Sequence, residues 1–446
     1  MHGKYDGVRA LVLGASMSGE WAARLLVAHG GRVTLLDESD GTKLAEVAER
    51  VRAAGGEVLL GKRALPEGEV DVCVASPAFA LNHVWIRECQ QRNIPVISEL
   101  ELGACYWRGQ MIAITGSKGK SSLVKFCADT LNLAGLSASP AGNYGIPLCQ
   151  LVMEKPDLAW AVVEVSSFQM EHSPTFHPQI GLLLNLQPDH LDRHTDLAEY
   201  KALKFRMFAN MTRADAALLP AGLEDEGLMN PQVPCSRFGS EAGSDWRYEK
   251  GFITQKATGL LLDVAETWFD NDILGLAAAA GSAILLRAGV SKELVVQGVK
   301  AFKPLSHRVQ MIGTDAKGVT WVDDSKATSL TALAAALQMV KKPVRLIAGG
   351  LLKEKDLNFL KVLLTQTTQK VYLIGQCAGE MEDAWASAVP CEIYGTIERA
   401  VAAVAQDAQA NETVLLSPGT ASFDQFSSYR ERGERFTQLV RAVANL

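Results

Sequence analysis

Short, nearly continuous apolar runs alternate with helix-period segments along most of this 446-residue chain, and that alternation constrains its fold more than any other feature. Arg9–Gly14, Arg32–Asp37 and Asp71–Ser76 alternate with the helical patterns Glu20–Ala28 and Lys43–Ala53. This is the mark of βαβ units on a parallel sheet. A second start comes at Met111–Thr115, after the polar hinge Tyr106–Gln110, and continues through Trp160–Val165 and Gly181–Leu186. Strands covered by helices on both faces read as unbroken apolar runs of this kind. From Ala216 to Phe269 the pattern loosens into short, Gly-punctuated pieces, closed by the Ala-rich run Ile273–Leu286. A third block starts near Lys303-Pro304, with strands expected at Val319–Asp323, Val344–Gly350, Lys370–Gly375 and Thr413–Ser417. At roughly 150 residues per domain the length suits about three domains, so three α/β domains are expected.

Composition narrows the class. Lys plus Arg number 44 against 50 Asp plus Glu, a net charge of −6, and 48% of the residues are hydrophobic. That is a globular balance, and its mild acidity argues against a nucleic-acid partner. The run Ile273–Leu286 is too short for a membrane span, and the N-terminus reads as strand–turn–helix rather than as a signal peptide. Eight cysteines are scattered without a CxxC pair. Reduced thiols in a cytoplasmic protein are expected, with no zinc site.

The sharpest motif is Thr115-Gly116-Ser117-Lys118-Gly119-Lys120-Ser121-Ser122, directly after a strand and opening a helix. Backbone N–H groups of such a turn and the helix N-terminus cradle anions, with Lys120 reaching β/γ-phosphates and the Ser121 hydroxyl ligating Mg²⁺. The spacing departs from a strict Walker pattern, because Ile114 stands five residues before Gly119. Two further strands of this block end in polar residues, at Glu164 and at Gln187–His194. Ligands gather beyond the carboxyl ends of parallel strands, which places Glu164 and His190 beside the phosphate loop. Earlier, Gly14-Ala15-Ser16-Met17-Ser18-Gly19 resembles a dinucleotide fingerprint, with Asp37 ending the next strand. Ser16 replaces the middle glycine, so another diphosphate is expected there ahead of NAD. An NAD-dependent oxidoreductase is the alternative from a different class, and a purely structural turn stays open.

Taken together, these pieces resemble the Mur ligase family over essentially the whole chain. The marks are Thr115–Ser121, Glu164–Gln169, Asn185–His194, Asp324–Thr328 and Ser417–Phe426 followed by Arg432-Gly433. The resemblance implies a Rossmann-like N-terminal domain over 1–104 for a UDP-sugar and a P-loop-type central ATPase domain over 105–302 for ATP and Mg²⁺. A Rossmann-like C-terminal domain over 303–446 would take the amino acid. It further implies that ATP, as co-substrate, phosphorylates the carboxylate of UDP-N-acetylmuramoyl-L-alanine. The amino group of glutamate then attacks the acyl phosphate, in peptidoglycan precursor synthesis by a cytoplasmic monomer. D-Glutamate is favoured, and a sister ligase adding L-glutamate or another amino acid is the alternative within the family.

Carried onto this chain, the resemblance assigns Gly116, Ser117, Lys118, Gly119, Lys120, Ser121 and Ser122 to the ATP phosphates, Asn271 to adenine, and Arg308 and Asp324 to the rest of the nucleotide. Ser121, Glu164, His190 and a carbamylated Lys204 would serve two Mg²⁺ sites. Lys120, His190, Lys204 and Lys326 form the implied catalytic set. Ser18, Asp37, Glu38, Ser76 and Asn143 fall on the UDP side, and Thr328, Lys353, Ser422, Phe423 and Tyr429 around glutamate. The chain departs from the family pattern at Lys118, Asp270, Leu274, Gln310, Ser329 and Ala78, and has Tyr429 where Phe is usual.

Overall fold

The computed structural model describes residues 3–188, 193–340, 343–353 and 356–446. Among these, the strands form three sheets. The first runs in the order Glu57–Leu60, Arg32–Asp37, Arg9–Leu13, Val72–Ala75, Val96–Ser98, parallel throughout. In the second, Gln110–Thr115 lies between Ile180–Leu183 and Trp160–Glu164, with Ala138–Gly142 at the edge beyond Trp160–Glu164. Ala216–Pro220, Cys235–Gly239 and Trp246–Glu249 extend it in parallel on the other side, and two antiparallel strands, Phe252–Gln255 and Leu260–Asp263, finish it. The third has the order Gln310–Thr314, Thr320–Asp323, Thr413–Leu416, Val344–Gly349, Thr368–Ile374, Cys391–Gly395 and is parallel except for its first strand.

The α/β class follows from the burial pattern: Trp160–Glu164 and Thr413–Leu416 are buried at every position, as strands between two helix layers must be. The Ala-rich run forms the helix Asp272–Arg287. No helix of the described residues is long and apolar enough to cross a membrane. The chain forms two compact units: the first two sheets share residues 1–270 and 275–302, and the third belongs to 271–274 with 303–446. One expected element ends early. The run Gly181–Leu186 gives a strand only to Leu183, because Leu184–Gln187 turns away to hydrogen-bond with the loop after Thr115.

Inside the first unit, Glu99 opens the helix Glu99–Tyr106 and its Oε1 accepts from Cys149 N at 2.7 Å, capping the helix Leu148–Glu154. Burial pushes this carboxyl up to about 7. A carboxyl with a raised folded-state pKa contributes fully below its ordinary value, 4.5, and that contribution is lost as pH rises towards 7. Glu99→Gln keeps the acceptor without the charge. Urea unfolding should show the variant gaining stability relative to wild type between pH 5 and 8; a gap independent of pH would refute this.

Candidate active site

The phosphate loop is built where three parallel strands end. Gly119 sits at φ 84° at the N-cap of the helix Lys120–Leu133, and Gly116 at φ 150°, with Leu184 Cβ 3.1 Å from where a side chain would start. Both positions need glycine, the first for its backbone and the second also for space. Asn185 fixes the loop: its Oδ1 accepts from Ser117 N and Lys118 N, both at 2.9 Å, and its Nδ2 donates to Lys118 O at 3.0 Å. The Ser117 hydroxyl donates to Gln187 O at 2.8 Å and accepts from Gln187 N at 2.9 Å. These bonds turn Ser117 towards the protein, where it fixes the loop's shape.

Two ammonium groups meet on one carbonyl. Lys120 Nζ donates to Gly116 O at 2.8 Å and Ser117 O at 3.0 Å, and Lys204 Nζ donates to Gly116 O at 2.9 Å. Lys204, at the end of the helix Leu197–Phe205, is only 2% exposed and lies 4.3 Å above the Tyr200 ring. Next to the loop strand, Glu164 ends its own strand with 3% exposure. Its Oε1 accepts from Asn143 Nδ2 at 2.7 Å, while Oε2 is buried with no hydrogen-bond partner among the described residues. A buried carboxylate oxygen left this way fits a cation, and oxygen ligands are what Mg²⁺ prefers. His190 lies outside the described residues.

The rest of Glu164–Gln169 is structural. Ser166 and Gln169 form a capping box for the short helix Ser167–Met170, and the Ser167 hydroxyl pairs with His194 Nε2 at 2.9 Å. In the first sheet, Asp37 spends both carboxylate oxygens on backbone, from Ala15 N at 2.7 Å and Ser39 N at 2.9 Å. It thereby shapes the glycine turn and the following loop. Glu38 faces His83 at 3.6 Å, Ser76 is buried beside that turn, and Ser18 is half-buried.

The second unit gathers its own polar cluster. Asp324 is buried, accepts from Ser417 Oγ at 2.8 Å and Val309 N at 3.1 Å, and burial pushes its carboxyl up to about 7. Burial also lowers the Lys326 ammonium, whose Nζ lies 3.9 Å over the Tyr429 ring. Reciprocal backbone bonds between Leu351 and Ala421 join the two segments that go on to Lys353 and Ser422. Ser422 is buried, Phe423 and Lys353 are exposed, and Thr328 is half-buried. Asn271 Oδ1 accepts from Leu274 N at 2.9 Å, capping its own helix. One residue without an assigned role stands out: Arg432, 1% exposed, donates to Ser325 Oγ, Ser325 O and Thr420 O and so ties the 324–326 and 420–422 loops together.

Comparison with known proteins gives the family. Residues 114–277 match the Mur ligase middle domain and 307–419 the Mur ligase glutamate ligase domain. The solved UDP-N-acetylmuramate–alanine ligase of Thermotoga maritima has the same fold, with TM-score 0.61, 15% identity, and 98% of this chain and 99% of that one covered. The ADP complex of the MurF ligase of Thermotoga maritima gives TM-score 0.60 at 16% identity, covering 93% and 95%. This chain belongs to the Mur ligase family and is an ATP-dependent ligase. Within that family it is 35% identical to the UDP-N-acetylmuramoylalanine–D-glutamate ligase of Nitratidesulfovibrio vulgaris, with 99% of both chains covered. The enzymes of that name from Koribacter versatilis (34%, 98% of both) and Syntrophus aciditrophicus (31%, 98% and 99%) are similar from end to end. The family sets aside the oxidoreductase alternative.

Proposed function

We propose that this enzyme joins D-glutamate to UDP-N-acetylmuramoyl-L-alanine through an acyl phosphate, with ATP as co-substrate. The observation that carries the reading is the convergence of Lys120 and Lys204 on Gly116 O beside Glu164 Oε2, which has no hydrogen-bond partner among the described residues, in a chain similar over its full length to D-glutamate ligases. The domains take the roles expected of them: 1–104 for the UDP-sugar, 105–302 for ATP and metal, 303–446 for glutamate.

Phosphoryl transfer needs positioning and fixed positive charge more than covalent chemistry. The Gly116–Ser122 turn and the helix N-terminus hold the ATP phosphates, and Lys120 leaves its loop carbonyls for the β/γ-oxygens. Glu164, Ser121, His190 and Lys204 would hold two Mg²⁺ ions, which supply charge neutralisation between phosphate and acceptor carboxylate. In its neutral amine form Lys204 would add to CO₂: the nitrogen bonds carbon, gives up a proton and becomes a carbamate. Asp324, Arg308 and Asn271 serve the nucleotide. Lys326 steadies phosphates, and Thr328, Lys353, Ser422, Phe423 and Tyr429 orient glutamate, with Lys353 paired to its side-chain carboxylate. Ser18, Asp37, Glu38, Ser76 and Asn143 line the UDP-sugar side.

The test supplies Mg-ATP, UDP-N-acetylmuramoyl-L-alanine and each glutamate enantiomer, and follows phosphate release and product mass. Release with D-glutamate alone, with product heavier by one glutamyl residue, is expected. No release with either enantiomer overturns the reading, and release with L-glutamate alone selects the sister activity. For Lys204, intact-mass and ¹³C-bicarbonate NMR measurements should find the carbamate; an unmodified lysine in fully active enzyme would exclude it.

A further inference from the structure

We infer that Arg193 is a positioning residue for the sugar-nucleotide, clamping the first-sheet loop Pro77–Phe79 to the catalytic sheet; this rests on the ligase reading above. Its guanidinium Nη1 donates to Pro77 O at 2.8 Å and Ala78 O at 3.3 Å, and Nη2 to Phe79 O at 3.0 Å. On its other edge Nε and Nη2 grip Glu171, at 3.2 and 2.6 Å, and the group lies 4.4 Å over the Phe168 ring. One planar fork therefore fastens three successive carbonyls of one sheet's loop to the turn that follows Glu164 in the other.

The loop it holds has a specific neighbourhood. Ser76 N donates to Leu13 O, and a side chain on Gly14, at φ 94°, would meet Phe79 Cε2 at 3.0 Å and Ser76 Cβ at 3.1 Å. The loop thus lies against the glycine turn, beyond the carboxyl ends of Arg9–Leu13 and Val72–Ala75, where parallel sheets bind ligands. The two sheets do not depend on Arg193 to stay together. Ser98 N donates to His172 O at 2.7 Å, Cys149 N to Glu99 at 2.7 Å and Thr175 N to Glu101 at 3.1 Å along the same seam. What Arg193 adds is local: it fixes where the diphosphate-side loop stands relative to the strand end at Glu164, and with it where the acceptor carboxylate arrives.

Arg193→Ala should therefore raise the KM for UDP-N-acetylmuramoyl-L-alanine by about 10-fold or more, the scale of losing charge-assisted hydrogen bonds. ADP affinity by calorimetry and the KM for glutamate should stay within about twofold, because the phosphate loop is pinned by Asn185 independently. Arg193→Lys keeps the cation over Phe168 but cannot span three carbonyls, and its KM should fall between the two. With wild type active, an unchanged KM for the UDP substrate in Arg193→Ala, or an equal loss of ADP affinity, overturns the clamp. Wild-type inactivity overturns the ligase reading instead, and calorimetric titration of UDP into wild type and Arg193→Ala then decides the clamp by itself: weaker binding in the variant supports it, equal binding refutes it.

Discussion

Lys120→Ala is expected to lower the rate of glutamate-dependent phosphate release by about 10²–10³-fold or more, the penalty for removing one preorganised charge-stabilising donor. The ammonium is already at the phosphate loop, on Gly116 O and Ser117 O, and the helix Lys120–Leu133 adds its N-terminal field. Negative charge spreads over the transferring phosphoryl oxygens, and an ammonium held this close stabilises it. Folding should change little, since Asn185 and Gln187 hold the loop from the other side as well. Lys120→Arg should not rescue, because a planar fork cannot replace a compact ammonium inside a turn this tight. Single-turnover phosphate release and a thermal melt check both halves. Activity within about threefold of wild type would remove Lys120 from the mechanism.

The sheets were legible in the sequence because buried parallel strands leave unbroken apolar runs, as at Trp160–Glu164 and Thr413–Leu416. The phosphate loop was legible because two glycines and a following lysine mark a backbone that other residues cannot adopt. The strand Gln310–Thr314 was not, because its burial is partial and its register slips at Met311–Gly313. The end of the run Gly181–Leu186 was misread for a different reason: Asn185 has its partners at Ser117 and Lys118, 68 and 67 residues away. Motif residues divide in the same way. Glu164 stands out by ending an apolar strand, whereas Ser166 and Gln169 beside it cap a helix. Arg193 and Arg432 act on carbonyls far away in sequence or buried from view, so neither periodicity nor composition points to them.

Glu164→Gln should move stability and activity in opposite directions. The substitution keeps an oxygen to accept from Asn143 Nδ2 but removes a buried negative charge whose Oε2 has no hydrogen-bond partner among the described residues. A buried carboxylate in that state is a cost to folding, so in EDTA the variant should melt higher than wild type by about 2–4 °C, corresponding to roughly 1 kcal/mol. Wild type should recover that difference when Mg²⁺ and ADP are added, because a ligand that binds only the folded state stabilises it, and the variant should respond far less. Half-saturating Mg²⁺ in the phosphate-release assay should rise by about 10–100-fold, at least the loss seen when a metal site's supporting groups are removed. A purely structural carboxylate predicts the reverse sign in EDTA, a lower melting temperature with an unaltered Mg²⁺ titration. That pair of results would remove Glu164 from the metal site and leave its partnerless oxygen as a strain without a function.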